Sequence, residues 1–142
     1  MKSFIPAGNE MDKRWHVVDA DGQILGRLAT RVARLLMGKE KALFTPFLDT
    51  GDHVIVVNAA KVRLTGKKLG EKLYRRHSGY PGGLKQRLAG ELMAEKPEKV
   101  IHEAVIGMLP KTKLGRAMRK KLRVYRGAQH PHQAQLPQPL SL

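Results

Sequence analysis

Apolar residues first gather at Trp15-His16-Val17-Val18-Asp19-Ala20, a short run rich in β-formers. The pair Asp21-Gly22 after it is a turn signal. The pattern then changes period. Ile24, Leu28, Val32 and Leu36 recur every four residues, joined by Leu25, Ala29, Ala33 and Leu35, which predicts an amphipathic helix over about 23–37. Gly38 sits where a left-handed helix cap belongs. Arg27, Arg31 and Arg34 share the face opposite the apolar stripe. A solvated face accounts for them, and a phosphate-facing stripe is the alternative. Residues 39–52 read as loop, with Pro46 and Thr50-Gly51-Asp52. The unbroken run His53-Val54-Ile55-Val56-Val57-Asn58-Ala59 then predicts a strand buried on both faces, as in a parallel sheet covered on both sides. Strand, helix, strand is a βαβ pattern and argues an α/β fold.

The second half is less regular. Val62-Arg63-Leu64-Thr65-Gly66 is too short to assign, and residues 66–87 read as mainly irregular, with Tyr74–His77 extended. Leu84, Leu88 and Leu92 fall at helical spacing. Pro97 opens a further helix at its first position, with Glu98 in the first turn and Val100, Ile101, Ala104, Val105, Met108 and Leu109 on its apolar face; Pro110 stops it. Leu114, Met118 and Leu122 predict a short basic helix, and Val124-Tyr125 a last strand. From Gly127 onward Gln, Pro and His dominate, which predicts an extended tail. There is no internal repeat.

At 142 residues and 42% hydrophobic content, the chain is expected to form one domain over 1–142, with extended tails at 1–14 and 128–142. With no cysteine it has no disulfide, thiol nucleophile or Cys-type zinc site. Pro6 and Gly8 interrupt the only early apolar stretch, so a signal peptide and a membrane span are not expected, and the expected setting is soluble and cytoplasmic.

Charge changes this picture. Residues 1–60 hold eight Lys/Arg against seven Asp/Glu, whereas residues 61–142 hold nineteen against five. Beyond Glu103 eight cations follow with no acid. Like charges destabilise a folded domain unless a polyanion neutralises them. Nucleic acid is the default polyanion, because each phosphate contact releases counterions. A membrane surface fits less well, since aromatics are only 5%.

Two blocks concentrate the cations. The first, Lys61 to Arg87, contains Lys67, Lys68, Arg75, Arg76, Lys85 and Arg87 around the loop His77-Ser78-Gly79-Tyr80-Pro81-Gly82-Gly83. Glycine backbone there allows close approach of another chain, its N–H groups can meet phosphate oxygens, and Tyr80 or His77 can stack on a base. The second block holds Lys111, Lys113, Arg116, Arg119, Lys120, Lys121, Arg123 and Arg126.

Catalytic readings find little support. A dinucleotide site would want G-x-G-x-x-G after the first strand, but the chain offers Gly22-Gln23-Ile24-Leu25-Gly26 beside Asp19 and Asp21, which repel a pyrophosphate. Gly66-Lys67-Lys68 lacks the rest of a P-loop. Asp49, Asp52 and His53 are explained by a loop entering a strand as well as by a metal, and His130-Pro131-His132 is too isolated to make a convincing metal pair. No metal and no cofactor are expected.

Six stretches, taken in order, resemble the bacterial ribosomal protein L-thirteen family of the large subunit. They are Trp15–Ala20 with Leu25-Gly26-Arg27-Leu28-Ala29-Thr30; Asp49-Thr50-Gly51-Asp52; Arg76–Leu84; Gly107-Met108-Leu109-Pro110; Leu114-Gly115-Arg116; and Leu122, Val124, Tyr125, Gly127 and His130-Pro131. The resemblance spans about residues 15–132. It implies a three-layer α/β/α fold with a four-stranded, mainly parallel sheet. It also implies large-subunit ribosomal RNA and neighbouring large-subunit proteins as partners, an early role in subunit assembly, and neither catalysis nor a small-molecule substrate. With it, His130 joins the residues of the two blocks as a candidate RNA contact. An RNA-modifying enzyme on a βαβ core and a DNA-compacting protein are the alternatives.

Overall fold

The computed structural model describes residues 4–8 and 11–141. The first strand, β1 (Trp15–Asp19), leads through the Asp21-Gly22 turn to α1 (Leu25–Met37) and back to β2 (His53–Val57). The two strands pair in parallel, Trp15 with His53 through Asp19 with Val57. The apolar stripe of α1 is buried as its period predicts. Gly38 ends the helix at φ +77°, and its N–H bonds back to the Leu35 carbonyl. α1 begins two residues later than expected. Gln23 and Ile24 are extended against Arg63, whose carbonyl accepts the Leu25 N–H at 2.9 Å and whose N–H reaches Gln23 O at 2.8 Å. The unassigned Val62-Arg63-Leu64 therefore brackets the start of α1. β2 likewise stops at Val57, where Asn58 turns into the left-handed region and a 3-10 turn, Ala59–Lys61, follows.

Residues 66–87 are more ordered than their composition suggests. A single helical turn, α2 (Lys68–Glu71), precedes an antiparallel hairpin of β3 (Leu73–His77) and β4 (Leu84–Leu88). The expected helical role of Leu84 and Leu88 is corrected here. A spacing of four is also a multiple of two, so it places both residues on one face of a strand equally well. Leu92 is helical, in α3 (Ala89–Glu95), which runs into α4 (Pro97–Met108). Pro97 stands at the start of α4, and Val100, Ile101 and Val105 are fully buried. α5 (Lys113–Arg119) is shorter than its leucine spacing implied, and Leu122 belongs to β5 (Leu122–Val124). The tail is extended and ends in β6 (Gln138–Leu140), which pairs in parallel with β1.

The main sheet is thus four parallel strands in the order β5-β2-β1-β6, an α/β fold. Val18, Val54 and Val56 point into one core cluster with the buried faces of α1 and α4. β1 to β2 and β2 to β5 step across the sheet in one direction with their helices on that face. The chain must then return from the β5 edge to β6 at the far edge. A right-handed return in the reverse direction has to cross the opposite face. His132 marks that crossing: its ring lies 5.4 Å from that of Trp15, which itself stacks on His53 at 4.3 Å, and its Nε2 is 2.6 Å from Tyr125 Oη. The returning tail, with a 3-10 turn at Gln133–Gln135, forms the third layer.

Candidate nucleic-acid interface

The β3–β4 hairpin stands off the core: of its ten strand residues only Tyr74 and Leu88 are half-buried, and the rest are exposed. Register fixes what each face carries. Tyr74 pairs with Arg87 and Arg76 with Lys85 on one face; Leu73 with Leu88, Arg75 with Gln86 and His77 with Leu84 lie on the other. Arg76 directly opposite Lys85 sets like charges side by side, which destabilises a free hairpin. The turn is closed by Ser78 N–H to Gly83 O at 3.1 Å and Gly83 N–H to Tyr80 O at 2.9 Å. Gly79 and Gly82 adopt φ +90° and +70°, and a side chain on Gly83 would strike Ser78 Oγ. This backbone leaves Tyr80 76% exposed at the tip. His77 Nδ1 accepts the Gly79 N–H at 2.9 Å, which leaves Nε2 as the ring's donor nitrogen.

In the second block, Thr112 caps α5 by accepting the Gly115 N–H at 3.3 Å. Gly115 and Met118 are buried, while Lys113, Arg116, Arg119 and Lys120 are exposed. Lys111, Arg116 and Arg119 line a groove of about 330 Å³ between the end of α4 and α5. The two blocks meet at α3. Arg87 ion-pairs with Glu95, and Arg126 donates to Ala94 O at 3.2 Å, so both arginines converge on its last turn. Lys67 and Lys68 are exposed at the start of α2. Arg123 is exposed but shares the sheet face of Ile55, on the tail side. His130 is half-buried there, its Nδ1 accepting the His132 N–H at 3.2 Å. Among the described residues, no carboxylate pairs with Lys67, Lys68, Arg76, Lys85, Lys111, Lys113, Arg116, Arg119, Lys120 or Arg123.

Lys121 is the correction. It is 6% exposed, and its Nζ is held by Asp49 Oδ1 at 2.5 Å and Leu36 O at 3.1 Å. It is a structural lysine at the entry to β5, unavailable to RNA. Burial pushes its pKa down, and Asp49 opposes that shift. Burial disfavours the Asp49 charge too, but Lys121 and Lys13 outweigh it and hold the carboxyl below its usual range. Asp52 is held low in the same way, burial being outweighed by Lys41, the Arg14 N–H and His16. The acidic loop 49–52 is therefore a clamp joining the lead-in, α1 and β5. Asp49 and Asp52 spend their charge on lysines. At the opposite end of the sheet, Asp19 accepts from Asn58 Nδ2 at 2.8 Å, and Asp21 pairs with Lys61 at 2.9 Å. That leaves anionic groups where a nucleotide phosphate would have to sit.

The family model described as Ribosomal protein L13 matches residues 13–131. The chain is 61% identical over 136 residues to the large ribosomal subunit protein uL13 of Geobacillus kaustophilus, covering 96% of the chain and 94% of that relative. It is 56% identical over 142 residues to the protein of that name from Caldanaerobacter subterraneus subsp. tengcongensis, covering 100% of the chain and 99% of the relative. For the one from Syntrophotalea carbinolica the identity is 54%, with both chains covered in full.

Proposed function

The chain belongs to the ribosomal protein L13 family, and from that premise we propose that it binds large-subunit ribosomal RNA through the hairpin and α5. It is a structural component of the large ribosomal subunit and not an enzyme. Its work is to neutralise and hold phosphates of folded RNA early in subunit assembly, next to other large-subunit proteins, in the cytoplasm. It does so as one domain over residues 1–142, and among the described residues no helix is long and apolar enough to cross a membrane. The observation that carries the reading is the register of Arg76 against Lys85 at the end of an exposed arm. Two cations facing each other without a carboxylate are unfavourable until an anion lies between them. The exposed cations of α5 extend the same chemistry, and Tyr80 supplies a stacking platform that tolerates any base. The contacts proposed are Lys67, Lys68, Arg75, Arg76, His77, Ser78, Gly79, Tyr80, Gly82, Gly83, Lys85 and Arg87, with Lys111, Lys113, Arg116, Arg119, Lys120, Arg123, Arg126 and His130. Selectivity then comes from RNA shape, and affinity from phosphates.

The test is a salt-resolved titration against deproteinised large-subunit ribosomal RNA. With about six phosphates neutralised, log affinity should fall against log salt with a slope steeper than about −4. A flat titration would reject the reading.

A further inference from the structure

The outer face of α1 is not used by the interface above. Arg27, Arg31 and Arg34 are exposed there, opposite the buried Leu25, Val32 and Leu36. At 3.6 residues per turn they fall within roughly 60° of arc. Among the described residues none of the three has an ion pair or a hydrogen-bonded side-chain partner.

Considered alone, α1 works against its own electrostatics. Its first turn has no acid and instead carries Arg27, where the helix dipole disfavours a cation. Arg27 and Arg31 are like charges four apart, and Arg34 follows three later, so neighbours on the helix repel. Only Arg34, in the last turn, suits the dipole. Among the described residues, Asp12, Asp21, Asp49 and Asp52 are engaged by Arg14, Lys61, Lys121 and Lys41, and Asp19 by Asn58; Glu40, exposed beyond the end of the helix, forms no ion pair with any of the three arginines. Local choices that contradict the element holding them mark functional positions. The stripe also adjoins the second basic block. Thr30 Oγ1 lies 3.6 Å from Met108 Sδ at the end of α4, and from Met108 the chain passes through Lys111 into α5.

We propose that Arg27, Arg31 and Arg34 form a further phosphate-binding site for the backbone of large-subunit ribosomal RNA. It rests on the RNA-binding reading above but shares none of its residues. Seven residues of helix rise about 10 Å, so the three guanidinium forks line up along the helix to meet successive phosphates of a strand. With this site the helix layer presents one cationic surface from α1 to α5, and the half of the chain with balanced charge takes part in binding.

The experiment compares four proteins on whole deproteinised large-subunit RNA across a salt series. They are the parent, the triple variant R27Q/R31Q/R34Q, its charge-keeping counterpart R27K/R31K/R34K, and a control, K39Q/K96Q/K99Q, that removes three exposed cations outside every proposed contact. Melting curves accompany each. The Gln triple should melt like the parent, bind at least tenfold more weakly at about 100 mM salt, and show a slope shallower by about two to three units. The Lys triple should recover the slope, and the control should stay within about twofold of the parent. The proposal is overturned if the Gln triple matches the parent at every salt, if the control loses as much, or if the Lys triple recovers nothing. A parallel R75Q/R76Q variant separates the two readings: loss there with a silent α1 overturns only the α1 site, and silence in both removes the hairpin site as well.

Discussion

Lys120 and Lys121 are adjacent and chemically identical, and the fold gives them opposite roles. Lys120 is exposed at the C-cap of α5, whereas Lys121 is buried on Asp49 and the Leu36 carbonyl. Removing Lys121 leaves the buried Leu36 carbonyl without its donor and Asp49 with Lys13 alone, at a cost of about 3 kcal/mol. Lys121→Ala should therefore lower the melting temperature by roughly 10 °C at this chain length. Its RNA salt slope, measured below the new transition, should match the parent. Lys120→Ala should do the reverse: a surface change costs under about 0.5 kcal/mol, but the slope should lose about one unit. If Lys121→Ala melts with the parent, the clamp at the amino ends of the strands is not structural.

For the hairpin, stability and binding pull in opposite directions. Arg76 faces Lys85 in register, so Arg76→Glu converts a repulsive cross-strand pair into an attractive one. The free protein should melt at the same temperature or slightly higher. RNA affinity should nevertheless fall, with the slope shallower by about two units, because one cation is lost and one anion is added. Tyr80→Ala at the exposed tip should weaken binding and leave the slope alone, since stacking is not linked to counterion release. A parallel melting and titration series on both variants decides this; gain of affinity by Arg76→Glu would remove the hairpin from the interface.

Across the whole molecule, the titrating groups predict acid sensitivity. His53 is held below its ordinary value by burial first and then by Lys121 and Lys13; His102 is held down by burial and then by Arg119. The folded state resists protonating both, so the unfolded chain binds more protons as pH falls from about 6.5, and stability declines from there. Asp49 and Asp52 are depressed carboxylates. Their contribution is complete above the unfolded value of 3.8 and is lost as pH drops through their lower folded values. Melting temperature against pH should show a shallow decline below about 6.5 and a steep one below about 4. His53→Phe, which keeps a ring against Trp15, should flatten the shallow part. An unchanged profile in that variant would mean His53 does not contribute.

The sequence by itself determined the elements whose signal is local. The period of α1, the cap at Gly38, the unbroken β2 run, the start of α4 at Pro97 and the excess of cations after residue 60 are all legible because a residue's neighbours in the chain decide them. The charge and glycine content that make the hairpin and α5 a candidate interface were legible for the same reason, since composition needs no coordinates. Tertiary structure decided the rest. Leu84, Leu88 and Leu122 became strand residues because a four-residue spacing suits both periods and only pairing with Leu73, His77 and Val54 chooses between them. The Gln- and Pro-rich tail became the fourth strand because β1 had an unpaired edge and a right-handed return reaches it across the open face. Lys121 left the set of candidate contacts because burial is a property of three dimensions: a run of cations in sequence does not say which one folds inward to meet Asp49, 72 residues away.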